Sequence, residues 1–245
     1  MRLRITEDSR SDSGFVRKRL AAALLITASV WIWVRLTSVV IGHSSGAGPL
    51  ILEQYPVVRD VGFQLLRALL AVSVALVVVR VFDIPRPLEW MGVRRPNGWD
   101  WAYVPIGLIL AFVCLFGSVV VIENVLGLQR TTGPALAESV QLSRVLTLLV
   151  LVGPAEELIF HGVVQRSLED VTGLWPAIFL GGILFGITHV DPAVLALGDI
   201  LFYGAQAGFG IIAGWIYART DNLVIPALVH GIFTSITTAL PLLLG

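Results

Sequence analysis

Charge is scarce in this chain. Asp, Glu, Lys and Arg make up 14% of its 245 residues, against about 25% in an ordinary soluble domain. With 56% hydrophobic residues and a mean hydropathy of +0.84, the composition excludes a soluble globular fold and points to a polytopic membrane protein. Lysine occurs only at Lys18, the net charge is zero, and no basic stripe is present, which excludes a nucleic-acid partner. A single cysteine, Cys114, excludes an internal disulfide; lying in an apolar run far from any polar cluster, it is no candidate nucleophile. The chain has neither a G-x-S-x-G elbow nor an H-E-x-x-H helix, so neither serine-hydrolase chemistry nor a zincin site is written in its motifs. No small-residue cleavage site follows the first apolar run, so residues 1–19 read as a polar cytoplasmic tail rather than a signal peptide. Internal repeats and low-complexity tracts are absent too.

What is abundant is apolar sequence in runs of spanning length, about 20 residues each. These lie at Leu20–Ile41, Val61–Phe82, Trp101–Ile122, Arg144–Gln165, Leu174–Val190, Asp199–Ala218 and Leu223–Leu244. They predict an all-α bundle of seven spans, or eight if Ala193–Leu197 forms an extra short helix, making one transmembrane domain over 20–245. Arginines cluster on alternate connections: Arg2, Arg4, Arg10, Arg17, Lys18 and Arg19 in the tail, Arg80, Arg86, Arg94 and Arg95 after the second run, Arg166 after the fourth and Arg219 after the sixth. The positive-inside rule then places the N-terminus in the cytoplasm. The Pro, Trp and Arg mixture of PRPLEWMGVRRPNGWDW reads as an interfacial segment. Small residues in GGILFG and GAQAGFGIIAGW suit close helix packing. Arg35 and Arg67 fall inside spans, and the sequence gives them no role beyond snorkelling or pairing. His43, in a Gly/Ser stretch, reads as solvated.

Against this background, Glu156 and Glu157 in PAEELIFHG, His161 in the same run, His189 in LFGITHV and His230 in PALVHGIF are conspicuous. An ionisable group in hydrocarbon costs several kcal/mol, so residues kept there mark function by default. Measured along each helix from its cytoplasmic end, Glu156, His230 and His189 lie roughly 15, 14 and 22 Å deep, close enough to meet near mid-membrane on the cytoplasmic side of centre. Residues four apart share a face, so Glu157 stacks with His161, Phe185 with His189, and His230 with Thr234. Glu156 is turned about 100° from Glu157; one carboxylate can face a cavity while the other braces the bundle. These groups suit water activation: a carboxylate in a low-dielectric cavity as general base, imidazoles to orient water or bind a metal, and a hydroxyl such as Thr234 to donate to an oxyanion. Bland readings stand beside these. Glu157 serves pairing better than chemistry, Thr234 is an ordinary helix hydroxyl, Phe185 a packed wall of the site, and Arg166 a positive-inside anchor.

The run EELIFHGVVQR resembles the EExxxR motif of the CAAX prenyl protease and bacteriocin-processing (CPBP) family of intramembrane proteases, the Abi or Rce1-like proteins. Phe185 to His189 matches its FxxxH, and His230 to Thr234 resembles its HxxxN or HxxxD. The three motifs follow in order on three predicted spans within 150–240. The resemblance implies that Glu156 activates water with help from His189, that His230 and Thr234 stabilise the oxyanion, and that Glu157 is a supporting carboxylate. Two positions depart from the pattern: His161 stands for the motif arginine, and Thr234 for the amide or carboxylate.

The expected function is an intramembrane endopeptidase that hydrolyses a peptide bond of a membrane-associated or lipid-modified substrate through glutamate-activated water. The catalytic set is Glu156, Glu157, His189, His230 and Thr234, supported by His161 and Phe185. No cofactor is required by this scheme; a divalent metal such as zinc, if bound, would take Glu156, His189 and His230. The expected partners are the bilayer and a peptide or membrane-protein substrate reached laterally or from the cytoplasm, and the expected location is the cell membrane. The rival readings are a non-catalytic relative that binds another membrane protein, which the His161 and Thr234 departures favour, and an ion-coupled transporter, whose paired broken helices are missing.

Overall fold

A chain in hydrocarbon must satisfy its backbone N–H and C=O groups internally, and a helix does so within one segment. The structure, a computed structural model, describes residues 13–40, 54–131, 136–192 and 195–244, with side chains for all but 37–40. Arg2, Arg4, Arg10, His43 and the first two residues of the Ala193–Leu197 run lie outside the described residues. Among those described, the fold is all-helical: α1 Ser13–Val40, α2 Pro56–Val81, α3 Asp100–Val125, α4 Glu138–Thr172, α5 Leu174–His189, α6 Leu197–Thr220 and α7 Val224–Leu244. Six are long and apolar enough to cross a membrane, and α5 is a shorter apolar helix. The protein is a multi-pass membrane helix bundle.

The boundaries differ from the hydropathy reading most in α1 and α4. Helix α1 begins at Ser13 rather than Leu20, so Arg17, Lys18 and Arg19 belong to its first turns. Arg19 is buried there because it has partners: its Nη1 donates to Ser167 Oγ at 3.3 Å, and its guanidinium lies 4.2 Å from the centroid of Phe82. Helix α4 runs from Glu138 to Thr172, beyond the apolar run at both ends, and remains unbroken despite Pro154. Proline lacks an N–H and crowds the carbonyl four residues back. A wider π turn over Leu148–Val152, immediately before it, accommodates this, and a second π segment follows over Leu158–Gln165. Both flank the two glutamates, a place where such turns recur in proteins.

The two ends of the bundle are tied differently. At the arginine-rich end, Arg94 reaches Asp100 at 2.9 Å and the Thr220 carbonyl at 2.6 Å; Arg166 reaches the Trp90 carbonyl at 2.8 Å and Asp221 at 2.9 Å. These bonds fold the PRPLEWMGVRRPNGWDW segment against the bundle, with Trp90 buried and Trp99 and Trp101 outward. Arg166 is thus a buried staple as well as a positive charge. At the opposite end, Thr131 donates to Asp199 through its N–H at 2.8 Å, Arg130 meets Glu123 at 2.7 Å, and Arg144 Nε meets Asp60 at 3.0 Å.

Glycines set two close crossings. A methyl at Gly153 of α4 would lie 2.8 Å from Gly231 N of α7, and one at Gly231 would lie 2.8 Å from the Leu149 carbonyl. On α5, methyls at Gly182 and Gly186 would strike the α6 backbone at Ile211 and Ala207, 2.6 and 2.8 Å away. The first crossing brings the Glu156–Glu157 turn against His230, and the second brings α6 against the helix that carries His189.

Candidate active site

The π-flanked turn Gly153–Glu157 presents two adjacent carboxylates to different surroundings. Glu156 turns towards α1, α2 and α5, where it lines a cavity of about 180 Å³. The other lining residues are Val30, Val34 and Arg35 of α1, Phe63, Arg67, Leu70 and Ala71 of α2, Val152, Ala155, Ile159 and Phe160 of α4, and Thr188 and His189 of α5. The walls are mostly apolar; the polar groups are Arg35, Arg67, Glu156, Thr188 and His189. Helix directions place this space from the middle of the bundle towards the arginine-poor end, because Arg35 is near the last turns of α1 and His189 ends α5. The sequence reading put the site on the arginine-rich side of centre; helix α1, whose register hydropathy does not reveal, is what extends it the other way.

Arg67 is ion-paired with Glu156 Oε1, and its other arm donates to Gln64 Oε1 at 3.3 Å. Glu156 Oε2 lies 3.7 Å from His230 Nε2. His189 shares the cavity wall, and its Nδ1 donates to the Phe185 carbonyl at 3.0 Å, which directs Nε2 to other partners. Its ring also lies 4.7 Å from the Phe185 ring, as their spacing of four requires.

Glu157 turns the other way and is fully buried. Its Oε1 accepts from His230 Nδ1 at 2.8 Å, and its Oε2 faces His161 Nε2 at 3.5 Å. His161 is also fully buried and donates from Nδ1 to Gln165 Oε1 at 2.6 Å; Gln165 Nε2 in turn donates to the Gly214 carbonyl at 3.1 Å. That last bond fixes the amide orientation and with it the His161 tautomer. A methyl at Gly214 would lie 2.5 Å from Gln165 Oε1 and would have to displace that side chain from its bond to His161. The result is one chain of contacts, Gly214–Gln165–His161–Glu157–His230–Glu156–Arg67, crossing from α6 through α4 and α7 to α2.

The structure therefore brings together Glu156, Glu157, His161, Phe185, His189 and His230. Phe185 is the hub of an aromatic wall, 5.3 Å from Phe160, 5.9 Å from Phe209 and 5.7 Å from His230. Thr234 stands one turn beyond His230, but its hydroxyl donates to the His230 carbonyl at 2.8 Å, the local bond ordinary for a helix threonine. Neither His230 nor Thr234 lines the cavity.

Sequence reasoning misses Arg67, Gln165 and Phe209. Arg67 had a signal, an arginine within a span, which marks a site by default. Gln165, four residues after His161, had a weaker one, and Phe209 had none. Among the described residues no three His, Cys, Asp or Glu side chains are grouped to hold a metal ion. The suggested ligands also have other engagements: Arg67 holds Glu156, and Glu157 holds His230. The residues as arranged do not fit a zinc site.

No curated protein and no solved structure gives a significant match to this chain. Residues 138–236, which contain all three motifs and the whole Glu157–His161–His230 network, match the model of the Rce1-like family, the type II CAAX prenyl endopeptidases, and over that stretch the chain is similar to them.

Proposed function

We propose that this protein is an intramembrane endopeptidase that hydrolyses a peptide bond with water activated by Glu156. The observation that carries the reading is the shared cavity: a carboxylate, an imidazole and a guanidinium on otherwise apolar walls, inside a bundle whose C-terminal half matches an endopeptidase family. Glu156 takes a proton from water as the water oxygen bonds to the scissile carbonyl carbon. The resulting oxyanion is stabilised by the Arg67 guanidinium on the cavity wall, while His189 Nε2, left an acceptor by the Nδ1 bond to Phe185, orients the water through one of its O–H groups. The proton then passes from Glu156 to the amide nitrogen, the C–N bond breaks, and a carboxylic acid and an amine leave. Glu157, His230 and His161 support this from behind: His230 presents Nε2 to Glu156 because Glu157 fixes its Nδ1. The family resemblance assigns the oxyanion to His230 and Thr234; their places outside the cavity wall favour Arg67 instead.

The substrate this site suits is a membrane-associated peptide segment, with CAAX-like lipid-modified ends as the class the family suggests. The charge asymmetry between the two ends of the bundle supports a cytoplasmic N-terminus in the cell membrane.

A second reading has one observation in its favour. The Arg67–Glu156 pair closes the proposed base in this conformation, as a structural bridge would in a non-catalytic relative that binds other membrane proteins. The deciding experiment is mass spectrometry of new peptide termini in membranes containing wild-type protein or Glu156→Gln at matched levels, followed by cleavage of the candidate peptides with purified protein. Cleavage that is lost in Glu156→Gln sustains the enzyme. Cleavage that survives the change removes Glu156 as base and favours the bridge.

A further inference from the structure

Helix α1 lies outside the region that matches the family, yet it grips the chain immediately after His189. His189 is the last residue of α5, and at Val190 the backbone leaves the helix, with ψ 121°. The carbonyls of a final helical turn have no partners within the helix, so a C-terminus frays unless something holds it. Here the holding groups come from another helix. Trp31 Nε1 donates to the Val190 carbonyl at 3.1 Å, and Arg35 Nη2 donates to the same carbonyl at 2.8 Å. Arg35 Nη1 reaches Asp191 Oδ2 at 3.0 Å. Trp31 and Arg35 are four residues apart on one face of α1, and the Arg35 guanidinium lies 6.0 Å from the Trp31 ring. Arg35 also lines the cavity with Glu156 and His189.

His189 needs such a hold. Its ring is anchored inside its own helix by the bond from Nδ1 to Phe185, so wherever the last turn of α5 moves, the ring moves with it. Gly186 in that same turn packs against the α6 backbone at Ala207, which holds one side of the turn. The side of the turn towards the cavity cannot be braced by the substrate space itself.

We propose that Arg35, assisted by Trp31, is a positioning residue for the reaction: it fixes the α5 terminus through Val190 and Asp191 and so sets His189 against Glu156. Two acceptors one residue apart suit a planar, forked guanidinium, which lysine cannot replace. The proposal rests on the endopeptidase reading, because it assumes that His189 acts in turnover.

The experiment is a variant series in purified protein: Arg35→Gln, Arg35→Lys, Asp191→Asn and Trp31→Phe, with His189→Ala as reference. Each is assayed for kcat and KM on a cleaved peptide and, independently, by NMR of ¹⁵N-labelled histidine. Misplacement by about 1 Å is expected to lower kcat by 10- to 100-fold. Arg35→Gln should lose about that much with KM little changed, Arg35→Lys should recover only part, and Asp191→Asn, which keeps an oxygen acceptor, should lose least. In the NMR spectra the His189 ring signals should move in Arg35→Gln, while those of His161 and His230 stay in place. Unmoved His189 signals overturn the proposal whether or not any substrate is cleaved. So does an unchanged kcat in Arg35→Gln where His189→Ala abolishes cleavage. Full activity in His189→Ala instead overturns the role of His189, and the NMR comparison then decides whether the latch exists.

Discussion

Glu156 and Glu157 are neighbours on one turn of α4, yet they inhabit opposite regions. One faces a cavity built with α1 and α2, 12% exposed and paired with an arginine. The other is fully enclosed between His161 of its own helix and His230 of α7. A helix turns about 100° per residue, which is enough to divide a pair of identical groups between a wet face and a sealed one. The difference teaches that the doublet is two devices. On the cavity side polar groups are few and open to exchange with a substrate; on the sealed side they form a chain that ends on a backbone carbonyl at Gly214. The proposed mechanism puts chemistry on the first side and the rigidity that supports it on the second.

The comparison is broken most severely by substitutions that should have opposite effects on activity and stability. Glu156→Gln should lower turnover by about 10²- to 10⁴-fold, the usual worth of a general base, with little change in thermal unfolding in detergent. Glu157→Leu should do the reverse first. It strips His230 Nδ1 of its acceptor inside a sealed region, a loss of about 3–5 kcal/mol for a broken buried pair, seen as a lowered Tm and poor recovery of folded protein. If both variants keep their stability and both lose activity, the division between the two faces is wrong.

Next in size is the crossing that puts the doublet against α7. Gly231→Ala would drive a methyl to 2.8 Å from the Leu149 carbonyl. Because backbone rather than a flexible side chain is struck, the helices must part, at about 1–3 kcal/mol for overpacking. Since His230 is carried by the same turn, activity at low temperature should fall beyond what lost folded protein explains. Thermal melts with parallel cleavage assays of the surviving folded fraction measure both.

Arg67 sharpens the comparison from the cavity side. Arg67→Gln leaves Glu156 without its cation and removes an oxyanion donor, so kcat should fall by about 10²- to 10³-fold, the cost of one such donor, with KM less affected. A rise in kcat would identify Arg67 as a plug on the base. The variant also separates catalysis from bridging, because a pure bridge would register in Tm alone.

The fold is largely legible in the sequence because spanning helices announce themselves by run length alone, and the seven runs fall on α1 to α7 of the described residues. Its errors arise where composition is overridden by partners: α1 extends back through Arg17 to Arg19 because Ser167 and Phe82 receive Arg19. Local pairs in the site are legible as well, since a spacing of four forces Glu157 towards His161 and His189 towards Phe185. Contacts between helices are not. Arg67 meets Glu156 across 89 positions and Arg35 meets Asp191 across 156, and nothing in either local pattern specifies the rotation of α1 or α2 about its axis. The division of the two glutamates follows from helix geometry, but which of them faces the cavity depends on those rotations.

The smallest expected effect concerns Thr234, where the family resemblance and the structure part company. If its hydroxyl were an oxyanion donor, Thr234→Ala would cost 10²-fold or more, by the order of magnitude known for such donors. In this structure the hydroxyl is already spent on the His230 carbonyl, and the residue stands off the cavity wall. Thr234→Ala should therefore change kcat by about twofold or less, and stability by about 0.5 kcal/mol, as for a substitution that touches no special feature. Thr234→Asn makes the more informative companion. An amide reaches farther than a hydroxyl and need not bond its own helix, so it can extend along the face it shares with His230. A gain in kcat from asparagine, with no loss from alanine, would mean that the α7 side of the site is dormant in this chain and that Arg67 carries the oxyanion alone. A large loss from alanine would return that role to α7 and require the turn that carries His230 and Thr234 to rotate towards the cavity when substrate binds.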